Sequence, residues 1–223
     1  MKFIFEDENF IFVDKPSEVL TVPPRMKDSR RVLGLEIQDY LKKQIFPVHR
    51  LDFEVSGIVC FAKKEKAHRQ AQKWFETQQI RKSYEAITST QSFSHWPPQV
   101  ENLKTLIPID VGNSFTWESK ILRGKKRSFM SPNGDLAITE AQVERLSEEQ
   151  IHWLLFPVTG KPHQLRLELS YRGFPIHGDT LYGSKHVQQR GIALNSFKLD
   201  LSAITKEQRL NLPEVIEIER SLK

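Results

Sequence analysis

The 223-residue chain predicts an α+β fold: a mixed, mainly antiparallel sheet with flanking helices. Three observations predict it. Short runs rich in β-branched and aromatic residues recur from Phe3 to Leu199. Helical spacing is confined to a few separate segments, so strands and helices do not alternate as regular βαβ units. Several strand-like runs are joined by short polar turns, which suit antiparallel neighbours.

The elements follow in order. Phe3-Ile4-Phe5 and Phe10-Ile11-Phe12-Val13, parted by Glu6-Asp7-Glu8-Asn9, read as a hairpin that ends at Lys15-Pro16. Val19 to Val22 reads as a short extended piece. Arg31 to Lys43 fits a short helix, with Val32, Leu35 and Leu41 as its apolar positions. Gly57 to Ala62 is continuously apolar, the pattern of a strand buried on both faces. Lys64 to Gln78 is the clearest helix: Ala67, Ala71, Trp74, Phe75 and Gln78 share one face, and Lys66, Arg69 and Lys73 the other. Tyr84 to Thr88 returns to a strand.

Ser92 to Asn113, with Trp96-Pro97-Pro98 inside it, reads as a long connection. The basic cluster Lys120, Arg123, Lys125, Lys126 and Arg127 follows; it suits either a solvated loop or a contact to an RNA backbone. Thr139 to Leu146 and Ile151 to Val158 read as paired strands around the turn Ser147-Glu148-Glu149-Gln150. Pro162 to Arg172 has two readings. Leu165, Leu167 and Leu169 alternate as in a strand, but Pro162 near the start and Gly173 after the end favour a helix, with Thr159 as its cap. Ile192 to Leu199 is a late strand. Repeats and low-complexity segments are absent from the sequence.

Composition narrows the function classes. The net charge of +5 favours a polyanionic partner over an acidic one, since each Lys or Arg that meets a phosphate releases counterions, but charge alone equally suits a soluble basic protein. A single cysteine, Cys60, excludes an intrachain disulfide, a cysteine-based zinc site and hence a zinc deaminase; it reads as a buried, inert thiol. Glu6, Asp7 and Glu8 come too early for a secretory or transit peptide, and no apolar run approaches the roughly 18 residues that span a bilayer. The expectation is a soluble, cytoplasmic protein. Gly178-Asp179 and Gly183 are wrongly spaced for a dinucleotide fingerprint, and there is no glycine-rich phosphate loop.

Three segments carry the residues suited to chemistry: His49-Arg50-Leu51-Asp52 with Val55-Ser56-Gly57; Lys82-Ser83-Tyr84; and Gly160-Lys161-Pro162-His163-Gln164-Leu165-Arg166, continued by Gly173 to Asp179 and by Leu181-Tyr182-Gly183. In that order and spacing they resemble the motifs of the RluA-type pseudouridine synthases, and Asp14-Lys15-Pro16 resembles that family's usual start. The likeness runs from about Phe3 to Leu199 and is weakest between Ser92 and Ile138. Lys161 and Leu165 are changes within the third motif, and two positions beside Asp52 also depart from the pattern. Phe53 stands where the family has a basic residue, and Val55 where it has Thr.

The resemblance implies the pseudouridine synthase fold and isomerisation of a uridine within RNA. The bond from base to sugar breaks, the uracil turns, and its carbon 5 bonds to the sugar. No cofactor and no metal are needed. Asp52 would be the essential carboxylate, as nucleophile or as general base. Burial raises a carboxylate pKa and a nearby cation lowers it by about 1–3 units, so an ionised nucleophile in a dry pocket needs a cation; Arg166 is implied as that partner. Tyr84 would stack on the flipped uracil, with Leu165 on the other side of the base. Arg50 would enter the RNA stack as the target leaves it, which offsets part of the few kcal/mol that unstacking costs. Leu51, Lys82 and His49 complete the expected substrate-binding set; His49 and His163 read as structural or supporting side chains. Asp179 reads as a residue that pins a turn through backbone hydrogen bonds.

The motifs begin almost at Met1, which leaves no room for a separate N-terminal RNA-binding domain. The expectation is one catalytic domain over residues 1–223 that finds its own stem-loop in ribosomal or transfer RNA, as a monomer without an obligate protein partner. Two other readings compete. A hydrolase that cleaves N-glycosidic bonds in RNA would want a second carboxylate, and only Asp52, Glu54 and Asp179 are on offer. A catalytically silent RNA-binding module would have little use for Asp52, Tyr84 and Arg166 together.

Overall fold

A computed structural model describes residues 2–24, 29–93 and 102–222. In chain order its elements are β1 (Lys2–Glu6), β2 (Phe10–Lys15), α1 (Leu33–Leu41), β3 (Phe46–Pro47), β4 (Ser56–Ala62), α2 (Glu65–Glu76), β5 (Arg81–Ser89), β6 (Ser114–Arg123), β7 (Ser128–Met130), β8 (Asp135–Leu146), β9 (Gln150–Pro157), α3 (Gln164–Tyr171), β10 (Leu194–Asp200) and β11 (Val215–Glu217), with a short 3-10 turn at Thr180–Tyr182. The chain forms two compact units, Met1–Lys82 with Ser196–Arg220, and Ser83–Asn195 with Ser221–Lys223.

In the first unit the strands run β1-β2-β4-β10, with β3 on β4 and β11 on β10. The β1–β2 and β2–β4 ladders are antiparallel, and Phe12 lies opposite Cys60. The sequence dictates this hairpin: Asp7 Oδ1 accepts from the Asn9 and Phe10 amides, closing the turn that the acidic stretch marks. Strand β4 is buried from Gly57 to Ala62, as its unbroken apolar run requires. Gly57 has φ +114°, and a Cβ there would collide with the Ser196 carbonyl oxygen, so only glycine lets β10 come this close. Helix α2 lays Ala67, Ala71 and Trp74 on a core with Phe10, Phe12, Ile58 and Cys60. Gln78 does not join that face. The helix ends at Glu76, and Gln78 turns outward in a left-handed conformation at φ +57°.

Helix α1 starts at Leu33, two residues later than its sequence suggests, because the Arg31 carbonyl and Val32 form an extended bridge to Leu20. Leu33 and Ile37 enter the core, whereas Leu35 is 49% exposed.

In the second unit the strands run β5-β9-β8-β6-β7, and each of these ladders is antiparallel. The hairpin of β8 and β9 closes where expected, with the Ser147 amide bonded to the Gln150 carbonyl. Strand β8 begins at Asp135, earlier than Thr139, because its first residues pair with β6. Trp117, Trp153 and Phe174 pack edge to face in the core, with centroids 5.7 and 5.2 Å apart. Residues 102–113 contain neither helix nor strand, in keeping with a long connection. Gln91 holds them, its side chain bonding the Thr105 and Arg172 carbonyls and the Ile107 amide. Trp96-Pro97-Pro98 lies outside the described residues.

The stretch Pro162 to Arg172 contains a helix, α3, over Gln164–Tyr171, but Thr159 is not its cap. His163 occupies the capping position at φ +55°, with no side-chain cap. Thr159 Oγ1 instead accepts from the Ile138 amide and donates to Gln164 Oε1. Gln164 Nε2 donates in turn to the Ile138 carbonyl and Thr139 Oγ1, so the first residue of α3 is tied to β8 by its side chain.

Candidate functional site

In the first unit the site is built around the turn that carries Asp52. Thr21 Oγ1 both accepts from the Leu51 amide and donates to the Leu51 carbonyl, which fixes the residue just before the aspartate. Just after it, the Phe53 carbonyl accepts from Lys15 Nζ at 3.3 Å and from the Glu18 amide at 2.8 Å. The Val55 amide closes the turn onto the Asp52 carbonyl at 3.2 Å. Lys15 is fully buried, and its ammonium also donates to the carbonyls of Val19 and Pro16. Burial pulls its pKa down to about 8, against the opposing charges of Asp52 and Glu54. This lysine is therefore a buried cation beside the candidate catalytic carboxylate as well as a brace for its backbone.

Asp52 itself is half-buried, Arg50 is exposed and Leu51 is buried. His49 is locked in place: its Nε2 accepts from the Cys60 amide, and its ring stacks on Phe75 at 4.8 Å. Burial and then the charge of Lys82 push its pKa down to about 3, so it is a neutral acceptor and is unsuited to acid catalysis. The Cys60 thiol is buried, and burial raises its pKa, which leaves it inert. Lys82 is half-buried, and burial lowers its pKa to about 8. Phe53, the departure next to Asp52, carries the Arg30 guanidinium over its ring at 4.6 Å.

In the second unit Tyr84 is half-buried on β5, opposite Leu155 of β9. Alternation along β5 gives it the same face as Lys82. Leu165 and Arg166 lie in the first turn of α3, and both are buried. Arg166 is not a helix-surface cation. Its Nε donates to Asp179 Oδ2 at 2.7 Å and its Nη2 to Asp179 Oδ1 at 2.8 Å, a bidentate pair with both side chains at most 2% exposed. Its Cζ sits 5.3 Å from the Tyr182 ring centroid. The Tyr182 hydroxyl accepts from the Ser128 amide, donates to the Ser128 carbonyl, and lies 3.1 Å from His163 Nδ1.

Asp179 thus does more than pin a turn. Its carbonyl does accept from the Tyr182 and Ser184 amides, but its carboxylate grips Arg166. The structure gathers Lys15 with the Asp52 turn, His49 with Lys82, and Arg166 with Asp179 and Tyr182. The expected site residues divide between the units: His49, Arg50, Leu51, Asp52 and Lys82 belong to the first, Tyr84, Leu165 and Arg166 to the second. Sequence reasoning missed Lys15, Gln164 and Tyr182 as supporting residues. Lys15 did leave a signal, as part of the Asp14-Lys15-Pro16 stretch that closes the apolar run Phe10 to Val13.

Among the described residues no group of three or more His, Cys, Asp or Glu is placed to hold a metal ion, and no helix is long and apolar enough to cross a membrane. A family model described as RNA pseudouridylate synthase matches residues 9–171. The chain is 31% identical over 183 residues to the dual-specificity RNA pseudouridine synthase RluA of Escherichia coli (strain K12), covering 81% of this chain and 76% of that protein. Its fold is similar to that of human RNA pseudouridylate synthase domain containing 1, with a TM-score of 0.68 at 20% identity over 90% of this chain and 78% of that one. Human RNA pseudouridylate synthase domain containing 4 is also similar, with a TM-score of 0.66 at 21% identity over 91% and 85%. By the extent of the sequence match, on the fold these structures share, the chain belongs to the RNA pseudouridylate synthase family.

Proposed function

We propose that this protein isomerises uridine to pseudouridine at specific positions of structured ribosomal or transfer RNA, with Asp52 as the essential carboxylate. The observation that carries the reading is the turn around Asp52. Its backbone is held on both sides, by Thr21 at Leu51 and by Lys15 and Glu18 at Phe53, while the carboxylate remains half-buried. A side chain that must meet one carbon of a flipped nucleotide needs that fixed origin, because an error of about 1 Å costs about 100-fold in rate.

The other residues take roles around it. Arg166, held by Asp179, is the cation assigned to the Asp52 carboxylate. Tyr84 stacks on the extruded uracil and Leu165 packs against its other face. Arg50, exposed beside the turn, enters the helix vacated by the target. Leu51, His49 and Lys82 shape the wall, and the lysine charges of buried Lys15 and half-buried Lys82 favour an anionic substrate. Asp52 acts on the sugar as nucleophile or as general base while the glycosidic bond to nitrogen breaks. The uracil turns, its carbon 5 bonds to the sugar and loses its proton to water, and the nitrogen freed from the sugar takes up a proton. Atoms are conserved overall, so the residues named suffice without a cofactor. Both units serve one catalytic domain, which works as a monomer in the cytoplasm.

The test is release of tritium to water from cellular RNA labelled at carbon 5 of uridine. Wild-type protein releases it with no free uracil, and Asp52→Asn falls by at least about 1,000-fold while keeping its fold and RNA affinity. Turnover by Asp52→Asn contradicts the reading, and free uracil would make the protein a hydrolase.

A further inference from the structure

Strand β7 is the edge of the sheet in the second unit, and one face of that edge is left apolar. Leu122 of β6 lies opposite Phe129 of β7, and Lys120 of β6 opposite Leu136 of β8. Directly paired residues share a face, as do residues two apart on one strand, so these four side chains stand together. Leu122 is 38%, Phe129 40% and Leu136 50% exposed. The other face of the same strands is the packed one, where Ile121 and Ala137 enter a core with Leu167 and Tyr182. Exposed apolar side chains are ordinary singly, but three adjoining ones with a polar rim mark a surface that meets a partner.

The rim identifies the chemistry of that partner. Lys120, Lys125 and Lys126 are exposed, and among the described residues none of them has an ion pair or a side-chain hydrogen bond. Asp135, opposite Ile121, is taken by Lys161 at 3.2 Å, and Glu118, two positions before Lys120, is the acidic limit of the patch. The turn brings ring and cations together. The Gly124 amide donates to the Arg127 carbonyl, closing the turn that carries Lys125 and Lys126, and the Phe129 ring packs on Gly124, where a Cβ would meet it at 3.1 Å. Ser128 anchors the ring from the other side: its amide and carbonyl bond the Tyr182 hydroxyl, and its own hydroxyl donates to the Pro162 carbonyl at 2.6 Å. A protein partner fits this rim poorly, because lysine is depleted at protein interfaces. An unpaired nucleobase fits both parts, since its open face stacks on an aromatic ring whatever its sequence and its phosphates take the lysines. We propose that this face is a second RNA-binding site: Phe129, flanked by Leu122 and Leu136, stacks one unpaired base of the substrate, while Lys120, Lys125 and Lys126 hold the phosphates beside it. This rests on the reading above for RNA as the partner. The base is not the target uridine, so the site sets which RNA binds and takes no part in breaking bonds.

The test is titration of the whole chain with a labelled RNA hairpin that has an unpaired loop and, separately, with an uninterrupted RNA duplex of equal length. Neither measurement needs turnover. Phe129→Ala weakens hairpin binding by about tenfold, leaves duplex binding within about twofold, and keeps the wild-type slope of log affinity against log salt, because stacking releases no counterions. Phe129→Trp keeps the hairpin affinity, whereas Phe129→Leu, with apolar bulk but no ring, loses it as Phe129→Ala does. Unchanged hairpin affinity in Phe129→Ala, or full affinity in Phe129→Leu, means that no base stacks there and overturns the proposal. So does self-association of the wild type in sedimentation that Phe129→Ala abolishes with RNA affinity unaltered, since the face then serves a second copy. A wild type that binds the hairpin through Phe129 and yet releases no tritium from labelled cellular RNA refutes the reading of the function and leaves the stacking site standing.

Discussion

Glu168 shows most plainly how placement on a helix sets chemistry. It lies on α3 two residues after Arg166 and is fully buried. Burial raises its pKa from the usual 4.5 to about 6, opposed by Thr139, Arg172 and Ser119. A raised carboxyl holds its proton longer in the folded than in the unfolded chain. Its contribution to stability is therefore complete below about pH 4.5 and is lost as pH rises through about 6, a loss of about 2 kcal/mol for a shift of this size. Glu168→Gln should remove that dependence and leave the variant more stable than wild type at pH 8, by thermal melts at pH 5 and pH 8. Equal melting temperatures at pH 8 would mean the carboxyl is better solvated than its placement indicates. At this scale the sequence was only partly legible. Asp52 stood out through its motif, but the Asp179 carboxylate did not, because its partner lies thirteen residues away and the pair forms only after the turn between them folds.

At the scale of elements, strands were read more easily than their partners. The β1–β2 hairpin follows from apolar runs around a short polar turn and the β8–β9 hairpin from alternating side chains around another, so local sequence carries them. Helix α3 was legible for a different reason. Its residues from Gln164 to Ser170 are all buried, so it has no polar face and its hydrophobic pattern is ambiguous with a strand; Pro162 and Gly173 identified it. Its cap was misread because the Thr159 hydroxyl satisfies Gln164 and Ile138 instead of the helix amides. The approach of β10 to β4 was not legible at all, since it joins residues far apart in the chain. Gly57 is where that approach is decided. Gly57→Ala places a Cβ against the Ser196 carbonyl in a left-handed backbone, and should destabilise by about 3 kcal/mol or more, lowering the melting temperature by roughly 6–12 °C. An unchanged melting curve would show that the strands can part without loss.

For the whole molecule, charge and chemistry point to the same partner. The net charge of +5 includes an exposed basic group at Lys120 and Arg123 on β6 and at Lys125 and Lys126 in the turn to β7, whereas Arg127 turns inward to the Leu181 carbonyl. Reversing Lys125 and Lys126 to Glu should weaken RNA binding in titrations at several salt concentrations. It should also lower the slope of log affinity against log salt by about 2. An unchanged slope would make this turn an ordinary solvated surface. The most direct test of the central claim is to map pseudouridine across the RNA of cells that lack this protein and receive it back as wild type or as Asp52→Asn. One or a few uridines should lose the modification in the deficient cells and regain it with wild type alone. Identical maps in all three, or restoration by Asp52→Asn, would contradict an aspartate-dependent isomerase.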